Sequence, residues 1–363
     1  MGTVTARSVG VEEEMLLVDP VSGEARAVAG AVMAAAGDDD LQLELQREQL
    51  ETGTRPCVSL ADLGREVRRC RALAAQAAQR SGAAIAAVGT APMVVDPAIT
   101  GKRRYRQMAA EFGLTAHEQL TCGCHVHVQV ASDEEGVAVL DRIRQWLPVL
   151  LALSANSPFW QGRDSGYASF RYQAWGRWPS AGPTELFGSA QAYHEVVQAM
   201  ADTGTVLDTG MIYFDARLSR QYPTIEVRVA DVCLEADDAV LIAALVRALV
   251  ETAARQWRDD QPASAARGEL LRLASWRASR SGLDGPLVDP LTSRPVAAHA
   301  VAKQLMAHVT PALADAGDLP VVTGLLADLL ARGNGADRQR AAYQRSGRIL
   351  DVVRDVTART VPA

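Results

Sequence analysis

The sequence predicts an α+β fold, with one antiparallel sheet and helices packed against it. Strand-like alternation is concentrated before residue 231, and helical spacing dominates after it. Strands and helices do not alternate in the regular way that a parallel βαβ sheet needs. The 363 residues are 48% hydrophobic, enough to bury a sizeable core.

Residues 3–18 alternate as a strand that ends at Asp19-Pro20 and Ser22-Gly23. Residues 41–51, LQLELQREQLE, alternate again, with a bend expected at Gln46-Arg47. Ser59 caps a helix in which Leu60, Leu63, Val67, Cys70, Leu73 and Ala77 share one face. A short strand over 83–88 closes at Gly89-Thr90-Ala91-Pro92. A β-branched strand follows over 125–130. Residues 133–153 read as a helix bent at Pro148, and 190–201 as another helix. Strands are expected over 211–218 and 224–230, joined by a loop containing Pro223. Residues 237–257 form a buried helix, and helices are expected over 266–280, 297–317, 321–332 and 336–360.

Composition narrows the function. A net charge of −6 argues against binding a nucleic-acid backbone. Lys102 and Lys303 are the only lysines, a bias that reads as coding preference. Cys57, Cys70, Cys122, Cys124 and Cys233 are odd in number and scattered, and no secretory leader is evident. Reduced thiols and a cytoplasmic location are therefore expected. The most apolar run, 239–250, is too short to span a membrane.

The chemistry gathers on four strand segments. In VGVEEEMLLVDP, strand period puts Glu12 and Glu14 on one face and Glu13 on the other. Two adjacent carboxylates repel, and burying one unpaired is costly. A hard divalent cation relieves both problems, because Mg²⁺ takes oxygen ligands and bridges phosphates. An exposed polar face on an edge strand would explain the pair equally well. The second segment carries Glu44, Glu48 and Glu51, whose spacing does not fix a face. In TCGCHVHVQV, His125, His127 and Gln129 share a face, beside Cys122 and Cys124. A His-x-His strand suits transition metals. A zinc site made of those cysteines and histidines is disfavoured, since six residues cannot readily surround one tetrahedral ion. In YPTIEVRVADV, Glu226, Arg228 and Ala230 face away from Ile225, Val227 and Val229. One carboxylate for a metal and one guanidinium for an anion fits that alternation. So does a cross-strand ion pair with Asp215 or Arg217.

Two loops add to the set. RYQAWGRWPSAGP combines Arg171, Trp175, Arg177 and Trp178, a mixture suited to planar and anionic groups or to a subunit interface. GNGADRQR starts a helix that carries Arg338 and Arg340, suited to an anion or simply a solvated face. No P-loop and no GxGxxG after a strand occurs.

Taken in order, VGVEEEMLLVDP, the LE…LET strand, CGCHVHVQV, RYQAWGRWPSAGP, YPTIEVRVADV and GNGADRQR resemble the carboxylate–amine ligase family of bacterial glutamate–cysteine ligase type 2, over residues 7–350. That family is similar to glutamine synthetase and the guanidino kinases. The resemblance implies a curved, mainly antiparallel sheet funnel with helices on its outer face. It implies one ligase domain over 1–363, sheet-rich to 231 and helical beyond. It also implies a reaction: ATP phosphorylates a carboxylate, that of the glutamate side chain in glutamate–cysteine ligases, and an amine attacks the acyl phosphate.

Carried over by residue, the resemblance implies Glu12, Glu14, Glu44, Glu51, His125 and Glu226 as ligands for Mg²⁺, with Mn²⁺ as a substitute. It leaves His127 open, because relatives vary there. It implies Arg228 as a phosphate or substrate contact, catalytic at the transferring phosphoryl group, with Arg338 and Arg340 as further nucleotide contacts. Arg171, Trp175 and Arg177 are implied for the acidic substrate. Glu51 or Glu48 is the carboxylate considered as general base. The implied partners are a small acid and an amine, in a cytoplasmic homodimer with no nucleic acid or membrane. Two alternatives stand beside it: an ATP:guanidino phosphotransferase, and a metal- or nucleotide-binding protein without catalysis.

Overall fold

The computed structural model describes residues 6–37 and 41–361; the expected strand residues 3–5 lie outside them. Its centre is an open antiparallel sheet of seven strands. These are β1 (Val9–Val18), β2 (Leu41–Leu43), β3 (Gln49–Gly53), β4 (Ala84–Ala86), β5 (Gly123–Gln129), β6 (Ala216–Leu218) and β7 (Thr224–Asp231). The order is β2-β3-β1-β5-β7-β6. Glu12 and Glu13 pair with both β3 and β5, and Leu16 pairs with both β3 and β4. Hence β5 and β4 follow one another along one edge of β1, with β3 along the other.

Period-2 alternation divides the sheet into two faces. Val9, Val11, Cys124, Val126, Val128, Ile225, Val227 and Val229 join one buried cluster. Helix α5 (Ala236–Arg258) and α2 (Asp133–Ile143) complete it. Each fully buried aliphatic side chain there contributes about 1.5–3 kcal/mol. The opposite face carries the polar set.

Glu13, unlike its neighbours, faces the helices. Its partner is Arg71 on α1 (Leu60–Arg80), which donates to both carboxylate oxygens at 2.9 and 2.6 Å. Arg71 also reaches the carbonyls of Cys233 and Leu234. The buried pair ties β1 to α1 and to the start of α5. The α1 helix starts as expected, with Ser59 Oγ accepting from Asp62 N–H.

Several boundaries differ from expectation, each for a local reason. Residues 41–51 form a hairpin, β2 and β3, turning at 44–48. The helix expected over 133–153 is two, α2 and α3 (Leu147–Ser154), because Pro148 opens a new first turn. The helix expected over 336–360 breaks at Gly347, whose φ of 69° ends Gly335–Ser346 before Ile349–Thr360 begins. The strand expected over 211–218 shrinks to β6, after a 3₁₀ turn at Thr209–Met211. Helices Ala29–Ala36 and Arg103–Phe112 were not anticipated, and the aromatic loop at 171 begins as α4 (Phe170–Trp175). All five cysteines are buried. No helix among the described residues is long and apolar enough to cross a membrane.

Candidate active site

The polar face opens into a cleft of ≈ 510 Å³. Strand register sets its floor as a row across the sheet. Glu51 on β3 stands opposite Glu14 on β1, and Glu12 opposite His125 on β5. His127 stands opposite Glu226 on β7, which in turn faces Arg217 on β6. Glu44 joins them from the β2–β3 turn. Four sequence segments far apart in the chain thus supply one surface.

A β-bulge adjusts this row. Cys124 pairs with Ala230 and Val126 with Val227, so Arg228 and Val229 together oppose His125 alone. Bulges re-aim side chains. Here Arg228 points into the cleft, while Ala230 joins Val229 in the helix-side core. Ala230 was expected on the polar face; the extra residue turns it over.

The carboxylates divide by their partners. Glu226 Oε2 accepts from Arg217 Nε at 2.7 Å, and its Oε1 pairs with Arg228. Burial works to raise the Glu226 carboxyl, but Arg228 and Arg217 outweigh it and hold the group below the usual range. Glu12 Oε2 lies 3.3 Å from His127 Nε2 and 3.7 Å from His125 Nδ1. Burial opposes ionisation there too, and the two imidazoles overcome it, so Glu12 stays low. Glu14 behaves oppositely. Burial, reinforced by Glu44, pushes its carboxyl up to about 7, although Glu14 Oε2 accepts from Gly123 N–H at 2.5 Å. Glu51 is raised well above the usual range by burial and by Glu44. Burial, helped by Arg228, lowers His125 to about 4, leaving the neutral imidazole that ligates metals.

These groups fit a divalent cation. Ligand atoms of Glu12, Glu51 and His125 lie within 4.8 Å of one another, as do those of Glu12, His127 and Glu226. Glu12 is common to both triads. The buried Nε2 atom of His125 makes no hydrogen bond within the described residues. Crowded carboxylates beside the His125 imidazole are a donor set for Mg²⁺ or Mn²⁺. A zinc site with Cys124 is excluded by the strand itself, because Cys124 packs in the helix-side core while His125 faces the cleft.

The remaining expected residues are placed unevenly. Arg228 and Trp175 line the cleft. Arg171 is buried at 1% exposure, with its guanidinium 3.4 Å from the Arg228 carbonyl and filling the space where a Gly123 side chain would stand. Arg177 pairs with Glu118 at 2.5 Å and lines a neighbouring cavity of ≈ 270 Å³. Arg340 pairs with Asp164 at 2.9 Å. Neither Arg340 nor the half-buried Arg338 lines the cleft. Glu48 accepts from Ala98 N–H and likewise stays outside.

Sequence reasoning underweighted Arg217 and His127, and missed Arg104, Tyr105, Tyr213, Arg220 and Tyr222, all on the cleft wall. Arg217 was within reach: pairing the two strands around Pro223 sets it opposite Glu226. Arg104 and Tyr105 sit on a helix with no signal that tied it to the sheet.

The sequence matches the model of glutamate-cysteine ligase family 2 over residues 8–355. It is 55% identical over 359 residues to a Streptomyces avermitilis protein provisionally named glutamate–cysteine ligase 2-1, covering 98% of this chain and 99% of the relative. A Streptomyces coelicolor protein, provisionally named glutamate–cysteine ligase 2, is 54% identical over 362 residues, covering 98% and 100%. Among solved structures, glutamate–cysteine ligase from Francisella tularensis in complex with AMP has a TM-score of 0.71 at 14% identity, covering 99% of this chain and 90% of that one. A bifunctional glutathione synthetase from Pasteurella multocida has a TM-score of 0.71 at 15% identity, covering 98% and 52%. At such identities the structural likeness speaks for the fold.

Proposed function

The chain belongs to glutamate–cysteine ligase family 2 and is an ATP-dependent carboxylate–amine ligase; from that premise we propose that its acid is glutamate, activated at the side-chain carboxylate, and that its amine is that of cysteine. The observation that carries the reading is the strand face itself, where two cation-competent triads share Glu12 beside Arg217 and Arg228. The names of the relatives support the choice of substrates.

Glu12, Glu51 and His125 would hold one Mg²⁺, or Mn²⁺ in its place, and Glu12, His127 and Glu226 a second. Glu14 and Glu44, also expected as ligands, stand beside them in the cleft. Such ions, when bound, neutralise the phosphates of ATP and polarise the bond that breaks. Arg228 stabilises the charge that spreads over the transferring phosphoryl group. The bond from the γ-phosphorus to ADP breaks as a carboxylate oxygen bonds to that phosphorus. The amine nitrogen then bonds to the carbonyl carbon, phosphate leaves, and one proton is lost from the amine. Of the two carboxylates considered as base, only Glu51 faces the cleft.

The nucleotide grip rests on Arg228 in this reading, since Arg338 and Arg340 stand outside the cleft. Arg171 acts from beneath it and Arg177 from the adjoining cavity. A cytoplasmic homodimer is the setting taken over from the resemblance. The test is ADP release measured over pairs of acids and amines with Mg²⁺ present. Release that requires both glutamate and cysteine is expected. Binding of Mg·ATP with no release for any pair would overturn the ligase reading.

A further inference from the structure

Trp175, expected to touch the acidic substrate, lines the cleft and packs beside Arg228. Arg228 emerges from the bulge on β7 with Glu226 on one side and two aromatic rings on the other. Its guanidinium carbon lies 5.5 Å from the Trp175 ring centroid and 5.9 Å from that of Tyr213. The two rings pack against each other at 4.8 Å, tilted by 55°. Glu226 anchors one terminal nitrogen, while the buried Nε has no hydrogen-bond partner among the described residues. The guanidinium thus sits within cation–π distance of both rings, and its Nε–H is left uncommitted.

The rings are themselves fixed by the scaffold. Trp175 ends α4, whose cap Ser169 donates to the buried Asp231 at 2.7 Å. Arg171, buried behind the cleft, lies over the same indole at 5.7 Å. Tyr213 is 8% exposed, and its backbone N–H donates to Ser180 Oγ at 3.2 Å. Cation–π contacts strengthen where water is excluded, and an arginine gripped by its faces keeps its edge free for an anion.

We propose that Trp175 and Tyr213 are positioning residues that hold the Arg228 guanidinium in register for phosphoryl transfer, and that Trp175 does not itself bind the acid. The proposal rests on the reading of Arg228 as the phosphoryl-stabilising group. Its structural half can be tested without turnover.

The first measurement is the NMR resonance of the Arg228 Nε–H group in the full-length protein labelled with ¹⁵N-arginine, assigned by its loss in Arg228→Lys. Ring currents from two aromatic faces should displace it. Trp175→Ala should return it toward the position of an unstacked arginine, and Trp175→Phe should keep most of the displacement. An unchanged resonance in Trp175→Ala overturns the clamp, whatever reaction the enzyme performs.

The second is a double-mutant cycle on ligase turnover. Trp175→Ala alone should lower kcat by about 30- to 100-fold, with KM for the acid changed by less than about threefold. In an Arg228→Ala background the same change should cost little more, because the group it positions is gone. Trp175→Phe should recover most of the rate. A full, additive loss in the Arg228→Ala background, or a rise in KM for the acid as the main effect, would return Trp175 to direct substrate contact. If Trp175→Ala folds poorly, Tyr213→Leu repeats both measurements from the other ring. A wild-type enzyme that releases no ADP with any acid and amine would defeat the functional reading alone, since the displaced resonance is judged separately.

Discussion

At the scale of single residues, like carboxylates differ by their partners, Glu226 against arginines, Glu12 against imidazoles and Glu14 near Glu44. Glu12 belongs to both triads. Glu12→Gln is expected to lower turnover by at least about 100-fold and to weaken Mn²⁺ binding measured by calorimetry, with Tm nearly unchanged. Activity retained with a large fall in Tm would remove Glu12 from the metal site. Asp215 offers a test in pH. It is buried, bonded to the Tyr172 hydroxyl at 3.0 Å, and raised from 3.8 to about 7, chiefly by burial. The folded chain therefore holds this proton more tightly than the unfolded one. As pH rises from about 4 to about 7, the unfolded state ionises first and the folded state loses up to about 4 kcal/mol. Asp215→Asn should be close to neutral near about pH 4 and should raise Tm clearly near about pH 8. An equal effect at both values would show that Asp215 does not titrate in this window.

At the scale of elements, β1 is two-sided, with the proposed cation ligands Glu12 and Glu14 on one face and the Glu13–Arg71 ion pair on the other. Arg71→Met would leave Glu13 buried and unpaired, and should cost about 3–5 kcal/mol in denaturant unfolding. Adding Glu13→Leu should recover most of that loss, because an apolar pair of similar volume needs no compensation. A single variant as stable as wild type would mean that Glu13 is solvated. Gly123→Ala should also destabilise, by about 1–3 kcal/mol, because its methyl would displace the Arg171 guanidinium beneath the cleft. These elements show what a sequence discloses. Period-2 alternation separated Glu13 from Glu12 and Glu14, and grouped His125 with His127, since strand geometry is local. It could not name Arg71, 58 residues away in the chain. Nor could it foresee the bulge at Arg228, because register depends on the neighbouring strand. The long apolar helix α5 was plain from its spacing; the helix carrying Arg104 was not, because its buried side is a single residue, Met108.

At the scale of the molecule, the sheet presents one face to its helices and the other to the polar cleft. The fold class was legible because strands cluster before residue 231 and helices follow. The grouping of the site was legible only in part, because Arg338 and Arg340 match a motif whose place in the fold lies away from the cleft. The central claim is that this face activates a carboxylate by phosphorylation before an amine attacks. The most direct measurement follows ¹⁸O from glutamate labelled in its side-chain carboxylate, with the released phosphate weighed by mass spectrometry. One labelled oxygen in each phosphate released, in step with ADP, is expected. Amide product accompanied by unlabelled phosphate would contradict it.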